Sequence, residues 1–205
     1  MRDATQEFIH WLEKGGRQVG QILVSRSGDQ WELRHIADAG CADLTEYKRV
    51  ADARVLANLD DAGAYRPLKT APNLRRGWRL EVGTAIDLRK ALDAFYPAML
   101  GMWLARAQDQ IVPVPLRDTL GRQTGMYRVT HKLTDAQAQE VVARTCNDGA
   151  CLKTILWSLD SSQRVTSLPA GKFQPATGDA IPLLCQEACN ILVAAARKVV
   201  KGETE

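Results

Sequence analysis

The sequence predicts an α+β protein. Segments with apolar residues at helical spacing alternate with segments whose residues alternate in polarity, as in half-buried strands. The 205 residues, 45% hydrophobic and 25% charged, are enough for one large or two small globular domains. We expect a mixed N-terminal domain with a small antiparallel hairpin, followed by a mostly helical domain that carries four cysteines.

The N-terminal half is predicted to hold helices and the β-hairpin. Apolar residues at helical spacing predict an amphipathic helix over 3–14, which Gly15 and Gly16 end. Two alternating runs, 18–26 and 30–36, are joined by a Ser-Gly-Asp turn and predict the hairpin. By the same criteria, the chain continues with a helix over 44–60, a strand around Trp78–Val82, and a helical region over 84–107 that Pro97 interrupts.

The last third is predicted to be mostly helical. Thr134 and Gln137 fit the capping-box pattern, which predicts a helix from 135 to about 145. The apolar run over 152–159 is too short for periodicity to distinguish helix from strand, and a closing helix is predicted over 186–200. From these elements we place two domains, at 1–127 and 128–205.

Four of the five cysteines lie in two short clusters. Cys146 and Cys151 are separated by four residues, and Cys185 and Cys189 by three. Four thiolates brought together from two loops suit a soft metal centre. The spacing alone leaves open an iron–sulfur cluster, a structural zinc ion or ordinary buried thiols, although the gaps are not those of the common zinc knuckle. Cys41 stands alone and is expected to be a core thiol.

The sequence around both cysteine pairs favours negative charge. Asn147-Asp148-Gly149 is a turn sequence that can direct backbone N–H groups towards sulfur. Cys185 is expected at the start of the closing helix, where the helix dipole favours an anion. The spacing is also similar to that of thioredoxin-like [2Fe–2S] ferredoxins, but in that family a strand follows the second pair, whereas a helix is predicted here.

Five segments together resemble a known family. They are "YRPLKTAPNLRRGW", "LRKALDAFYPAMLGMW", "RQTGMYR", "CNDGACLKTILW" and "CQEACNILVAAAR". The chain, from about residue 10 to 200, resembles the two accessory domains of sirohydrochlorin cobaltochelatase-like (CbiX-type) proteins, a stabilising domain and a four-cysteine [4Fe–4S] domain. The resemblance implies that each of the four paired cysteines ligates one iron of a [4Fe–4S] cluster, in preference to a [2Fe–2S] cluster or zinc: Cys146, Cys151, Cys185 and Cys189.

The chelatase region of that family is not recognised in this sequence. The three histidines, His10, His35 and His131, lie in no chelatase motif, and structural roles are expected for His35 and His131. The sequence therefore favours a non-enzymatic accessory of tetrapyrrole metabolism, with a redox or structural cluster. A separate chelatase or a redox protein is the expected partner.

Basic charge is concentrated in the middle third, where residues 64–132 contain 12 Lys and Arg against 5 Asp and Glu. Part of it could bind an acidic tetrapyrrole through arginine forks. Pairing with acidic groups of the N-terminal region is the favoured alternative, and nucleic-acid binding is disfavoured because no recognised motif is present. The candidate anion-binding residues are Arg66, Lys69, Arg75, Arg76 and Arg79.

The sequence predicts a cytoplasmic protein without a membrane anchor. The N-terminal segment has charges every few residues and no apolar core of a signal peptide. The most apolar run, "NILVAAA", is much shorter than the roughly 20 residues that cross a bilayer. In the cytoplasm thiols stay reduced, which favours metal binding over disulfides.

Overall fold

The structure is a computed structural model that describes residues 3–59, 62, 74–111, 114–147, 151, 153–159, 165–166 and 178–203. It confirms the α+β class. The chain forms two compact units. The first comprises Met1–Gln110 with Pro175–Leu183, and the second comprises Ile111–Gln174 with Leu184–Glu205.

Helices and strands alternate along the chain. The helices are α1 (Ala4–Glu13), α2 (Asp52–Ala57), α3 (Ala85–Phe95), α4 (Met99–Ala107), α5 (Leu116–Gly121), α6 (Asp135–Val142) and α7 (Asn190–Lys201). The strands are β1 (Gln18–Val19), β2 (Ile22–Ser27), β3 (Gln30–His35), β4 (Thr45–Tyr47), β5 (Trp78–Val82), β6 (Val114–Pro115), β7 (Lys153–Ile155), β8 (Trp157–Ser158), β9 (Val165–Thr166), β10 (Ala180–Ile181) and β11 (Leu183–Cys185). No helix in the described part of the chain is long and apolar enough to span a bilayer.

A six-stranded mixed sheet organises the first unit, with strand order β10-β1-β2-β3-β5-β4. The pairs in the middle of the sheet are antiparallel, and both edge pairs are parallel. The predicted hairpin is confirmed as β2 and β3, with Ser27 opposite Gln30. Gly28 takes a φ of +61° in the turn, a conformation that glycine adopts without a steric penalty.

The core of the first unit is built on one face of this sheet. Trp78 of β5 stacks on Phe95 of α3, with ring centroids 5.1 Å apart and planes 13° apart. Both side chains are 1% exposed. Offset aromatic stacking adds to the large apolar area that such side chains bury, so this pair anchors α3 to the sheet.

The predicted helix over 44–60 is wrong in its first part. Residues Thr45–Tyr47 form β4 and pair in parallel with Trp78–Leu80 of β5, and only Asp52–Ala57 are α-helical. The strand forms because β5 supplies a hydrogen-bonding edge that is remote in sequence. By contrast, the predicted helical region with a break at Pro97 is confirmed as α3 and α4.

The second unit has its own apolar core. Leu116 and Leu120 of α5 are buried together with Val141 of α6, Trp157 of β8 and Leu192 of α7. The division after Gln110 therefore precedes the predicted boundary at 127/128, because α5 contributes its apolar side chains to this core. Within the ambiguous run over 152–159, Lys153–Ile155 and Trp157–Ser158 are strands, and residue 152 lies outside the described residues.

The capping box that predicts α6 is present. The Thr134 side chain accepts a hydrogen bond from the Gln137 backbone, and the Gln137 side chain accepts one from the Thr134 backbone. After Val142 the helix does not stop but widens into a π-helical turn over Ala143–Asn147. This turn leads to the first of the paired cysteines.

Candidate metal centre

Cys146 lies in the π-helical turn after α6 and is 7% exposed. A π turn holds one more residue than an α turn, and such turns are frequent at functional sites. The Cys146 side chain belongs to the buried apolar core of the second unit, together with Val142 and Leu192. Its sulfur is thus held inside the domain.

Cys185 and Cys189 flank the turn between β11 and α7. The Cys185 carbonyl accepts a hydrogen bond from the Leu156 backbone at 3.0 Å, and β11 pairs with β7. The Cys185 thiol lies 3.3 Å from the Glu187 carbonyl, to which it donates. Both cysteine side chains are partly buried and pack against the core that contains Cys146.

The expectation that Cys185 starts the closing helix is wrong. Strand pairing with β7 holds Leu183–Cys185 in an extended conformation, and α7 begins at Asn190. Cys189 is its N-cap residue, with φ −76° and ψ 165°, and its carbonyl accepts from the Val193 backbone at 2.9 Å. The unpaired N–H groups of the first turn and the positive end of the helix dipole therefore lie beside Cys189.

Burial raises the pKa of three of the paired cysteines, Cys146, Cys151 and Cys185. Burial raises the pKa of Cys146 to about 12, and the charges of the other three cysteines add to this rise. Burial also raises the pKa of Cys185 to about 11, and the Lys153 ammonium opposes it. For Cys151, burial raises the pKa, while a hydrogen bond from the Lys153 backbone opposes the rise. Four sulfurs that influence one another electrostatically occupy one neighbourhood.

The donor set fits a thiolate-bound metal centre. Soft thiolates select iron–sulfur clusters, zinc and copper(I) over hard cations, and a cationic centre would offset the charge that burial disfavours. Among the described residues, no three His, Cys, Asp or Glu side chains stand ready-made around a single ion. Metal binding would thus draw the sulfurs into their final positions and release their protons.

The metal-free protein is expected to lose stability as pH rises. Because an unperturbed thiol has a pKa of 9.0 and buried Cys146 one of about 12, the unfolded chain releases this proton at lower pH. The stabilising contribution is complete below pH 9.0 and disappears as pH approaches 12. Urea unfolding of metal-free protein across this range measures it. Cys146→Ala should reduce the pH dependence, part of which Cys151 and Cys185 retain, and Cys41→Ala should leave it unchanged; an equal slope in all three proteins would contradict the assignment.

Three of the five candidate anion-binding residues, Arg75, Arg76 and Arg79, lie in the described part of the chain. Arg79 lies on the polar face of β5, where Glu32, Glu46 and Glu81 surround its guanidinium in ion pairs. The remaining candidates are Arg75 and Arg76, in the segment before β5, and Arg66 and Lys69, which lie outside the described residues. Anion binding by this group stays a prediction.

The remaining cysteine and the histidines lie outside the two cysteine clusters of the sequence. Cys41 is exposed, so the expectation of a core thiol is wrong: it follows a 3-10 turn at the surface, where its N–H donates to the Asp38 carbonyl. His35 is 3% exposed in β3, and its Nδ1 accepts from the Ala37 backbone at 3.0 Å, which is a structural role. His131 is exposed, with Nδ1 2.8 Å from the Arg128 carbonyl.

Two residues near the cysteines were not singled out by the sequence. Burial raises the pKa of Cys185, and Lys153 supplies the cation that opposes this rise; its position two residues after Cys151 was the available signal. Trp157 is 1% exposed in the core that includes Cys146, and its indole Nε1 has no hydrogen-bond partner among the described residues. An unsatisfied donor in the core that includes Cys146 indicates surroundings that suit an acceptor.

Comparison with protein families divides the chain at nearly the same position as the two compact units do. Residues 4–107 match the family model described as the DR2241 stabilising domain, and residues 108–198 match that of a 4Fe-4S iron-sulfur cluster binding domain. No curated protein matches the chain.

A solved structure also matches. It is DR2241 from Deinococcus radiodurans, described as a multi-domain protein with structural similarity to chelatases and with two additional novel domains. The match has 34% sequence identity and a TM-score of 0.78, and it covers 98% of this chain and 42% of that protein. The chain therefore spans less than half the length of DR2241.

Proposed function

Because the chain belongs to the DR2241 stabilising-domain family and continues into a 4Fe-4S iron-sulfur cluster binding domain, we propose that it binds one [4Fe–4S] cluster through its four paired cysteines. The observation that supports this most is the gathering of the four thiols in one partly buried neighbourhood within the matched region. When bound, such a cluster supplies one-electron redox chemistry. The proposed ligands are Cys146, Cys151, Cys185 and Cys189.

The protein's own residues give each proposed ligand a different support. Cys146 is held by the apolar core, and Cys185 by the strand pair of β7 and β11. Cys189 lies at the positive end of α7, and the Lys153 backbone donates to Cys151. Rigid secondary structure thus presents three of the sulfurs, and a backbone donor stabilises the fourth as a thiolate.

Four protein ligands on four irons leave no open iron position for substrate. We therefore assign the chain a redox or structural role, as an accessory to tetrapyrrole metabolism of the sirohydrochlorin or cobalamin type. The described similarity of DR2241 to chelatases supports this link. A separate chelatase or a redox protein would be the partner, in the cytoplasm, where thiols remain reduced.

Metal analysis of protein purified without oxygen tests the proposal. We expect a brown protein with about four irons and about four acid-labile sulfides per chain, as the [4Fe–4S] formula requires. About two of each would instead identify a [2Fe–2S] cluster. A colourless protein with one zinc per chain would replace the proposal with a structural zinc site, and a metal-free protein would remove both.

Cys189→Ser is expected to separate ligation from folding. The backbone of Cys189 already has N-cap geometry but its side chain makes no capping hydrogen bond. Serine is a favoured N-cap, so the metal-free variant should gain roughly 0.5–1 kcal/mol in the free energy of unfolding while binding no intact cluster. Iron content and urea unfolding of both metal-free proteins provide the two readouts. Full iron occupancy in the variant would remove Cys189 from the ligand set.

The proposed tetrapyrrole link has its own test. Titration with sirohydrochlorin at low salt should show binding that weakens as salt is raised, because carboxylate–arginine attraction is screened. Replacing Arg75 and Arg76 with Gln should weaken it, whereas Arg17→Gln, at an exposed position in the loop before β1, should not. Absence of binding would leave a cluster protein without a tetrapyrrole ligand.

A further inference from the structure

Trp157 places an unsatisfied hydrogen-bond donor inside the second unit. Its side chain is 1% exposed, and its Nε1 has no partner among the described residues. An indole N–H can only donate, and leaving a buried donor unpaired costs about 1–3 kcal/mol. Buried Trp side chains usually satisfy this group. The cost would be removed if an acceptor occupied the adjoining space.

The position of Trp157 in the core indicates the kind of acceptor that would suit this donor. The preceding residue, Leu156, donates its backbone N–H to the Cys185 carbonyl at 3.0 Å. The Trp157 ring belongs to the same buried core as Cys146, and Cys185 and Cys189 pack against that core. The Trp157 ring therefore lies in the apolar core against which these cysteines pack, and their protonated sulfurs are weak acceptors.

We infer that the Trp157 indole N–H donates a hydrogen bond to a sulfur of the bound cluster, either a cysteine thiolate or a sulfide. This rests on the proposed function. Thiolates and sulfides carry negative charge, and hydrogen bonds to charged groups are stronger than those between neutral groups. Because reduction adds negative charge to these sulfurs, the bond favours the reduced state and raises the reduction potential. Trp157 acts as a tuning residue and not as a ligand.

Ser158 provides a matched control. Its hydroxyl is also buried, at 1% exposure, and it too has no partner among the described residues. However, Trp157 and Ser158 are successive residues of β8, and successive side chains of a strand point to opposite faces, so Ser158 is directed away from the side on which Trp157 joins the core of Cys146. An effect specific to the cluster should therefore appear on changing Trp157 and be absent on changing Ser158.

The experiment compares cluster-loaded wild type, Trp157→Phe and Ser158→Ala. Iron content is measured first, then the reduction potential by titration followed by electron paramagnetic resonance, and then the Fe–S vibrations by resonance Raman in H2O and D2O. In Trp157→Phe we expect full iron occupancy and a lower potential. The reduced-to-oxidised ratio at a fixed potential should fall about fivefold to tenfold, as for loss of one hydrogen bond. The deuterium shift of the Fe–S bands should decrease, whereas Ser158→Ala should match wild type.

A second variant keeps the test independent of packing. Benzothienylalanine at position 157 has the shape of tryptophan but lacks the N–H, so it should reproduce the lower potential and the loss of deuterium sensitivity. Wild-type values in both Trp157 variants would overturn the inference, and so would an equal shift in Ser158→Ala. Wild type without iron would instead overturn the proposed function, so the two failures are distinguishable.

Discussion

Cys146→Ser is expected to abolish cluster binding and to destabilise the second unit. Serine has nearly the same size as cysteine, but its hydroxyl is a poor ligand for iron at neutral pH, since thiolate is the form that holds these clusters. The Cys146 side chain is 7% exposed in an apolar core. Burying a hydroxyl there without a partner should cost about 1–3 kcal/mol. The variant should therefore be colourless, with less than about one iron per chain.

The measurements are iron and sulfide content of the variant purified without oxygen, and urea unfolding of the metal-free form. Cys41→Ser is the control, because Cys41 is exposed and lies in the first unit. It should retain both iron and stability. If Cys146→Ser retained the iron content of wild type, Cys146 would not be a ligand, and the four-cysteine assignment would fail.

Trp78→Ala is expected to destabilise the first unit by about 3–5 kcal/mol, the range for removing a large aromatic side chain from a core. Trp78 is 1% exposed, and its ring stacks on Phe95 at 5.1 Å, so the truncation removes both buried area and the stacking contact. The remaining cavity lies between a strand and a helix of the core, where collapse is limited. A loss of this size is a large part of the stability of an ordinary domain.

Urea unfolding followed by circular dichroism measures this loss, with separate transitions fitted for the two units because a two-unit chain need not unfold in one step. Ile86→Ala, at a position 63% exposed on α3, is the control and should change stability by less than about 0.5 kcal/mol. Iron content should be unchanged, since the four paired cysteines all belong to the second unit. Loss of iron together with a small loss of stability would contradict this division.

Local signals in the sequence predicted the elements whose causes are local. The Ser-Gly-Asp turn, the capping box of Thr134 and Gln137, and the break at Pro97 each act within a few residues, and each is present as predicted. The strand β4 was missed because its partner, β5, lies about thirty residues later in the chain. The same cause explains Cys185, which pairing with β7 keeps out of the helix.

The candidate site follows the same rule. The spacing of the cysteines identified all four thiols that the structure gathers, because paired ligands are a pattern within short loops. The residues that surround these thiols and affect their charge could not be identified from the spacing of the cysteines. The opposing charge of Lys153 and the unsatisfied N–H of Trp157 depend on which strands meet in space, and a single sequence does not encode this in any short pattern.

The π-helical turn after α6 has a consequence for which changes this region tolerates. Each residue of an α-helix advances the direction of the next by about 100°, so the extra residue of the turn sets the direction in which Cys146 points. Ala143 and Arg144 are exposed and make few demands on side-chain identity. Deleting either one would rotate Cys146 out of the core without altering any proposed ligand. Between Val142 and Cys146 the chain is therefore constrained in length, whereas Ala143 and Arg144 are free in composition, so related sequences should vary at these two positions by substitution and not by insertion or deletion.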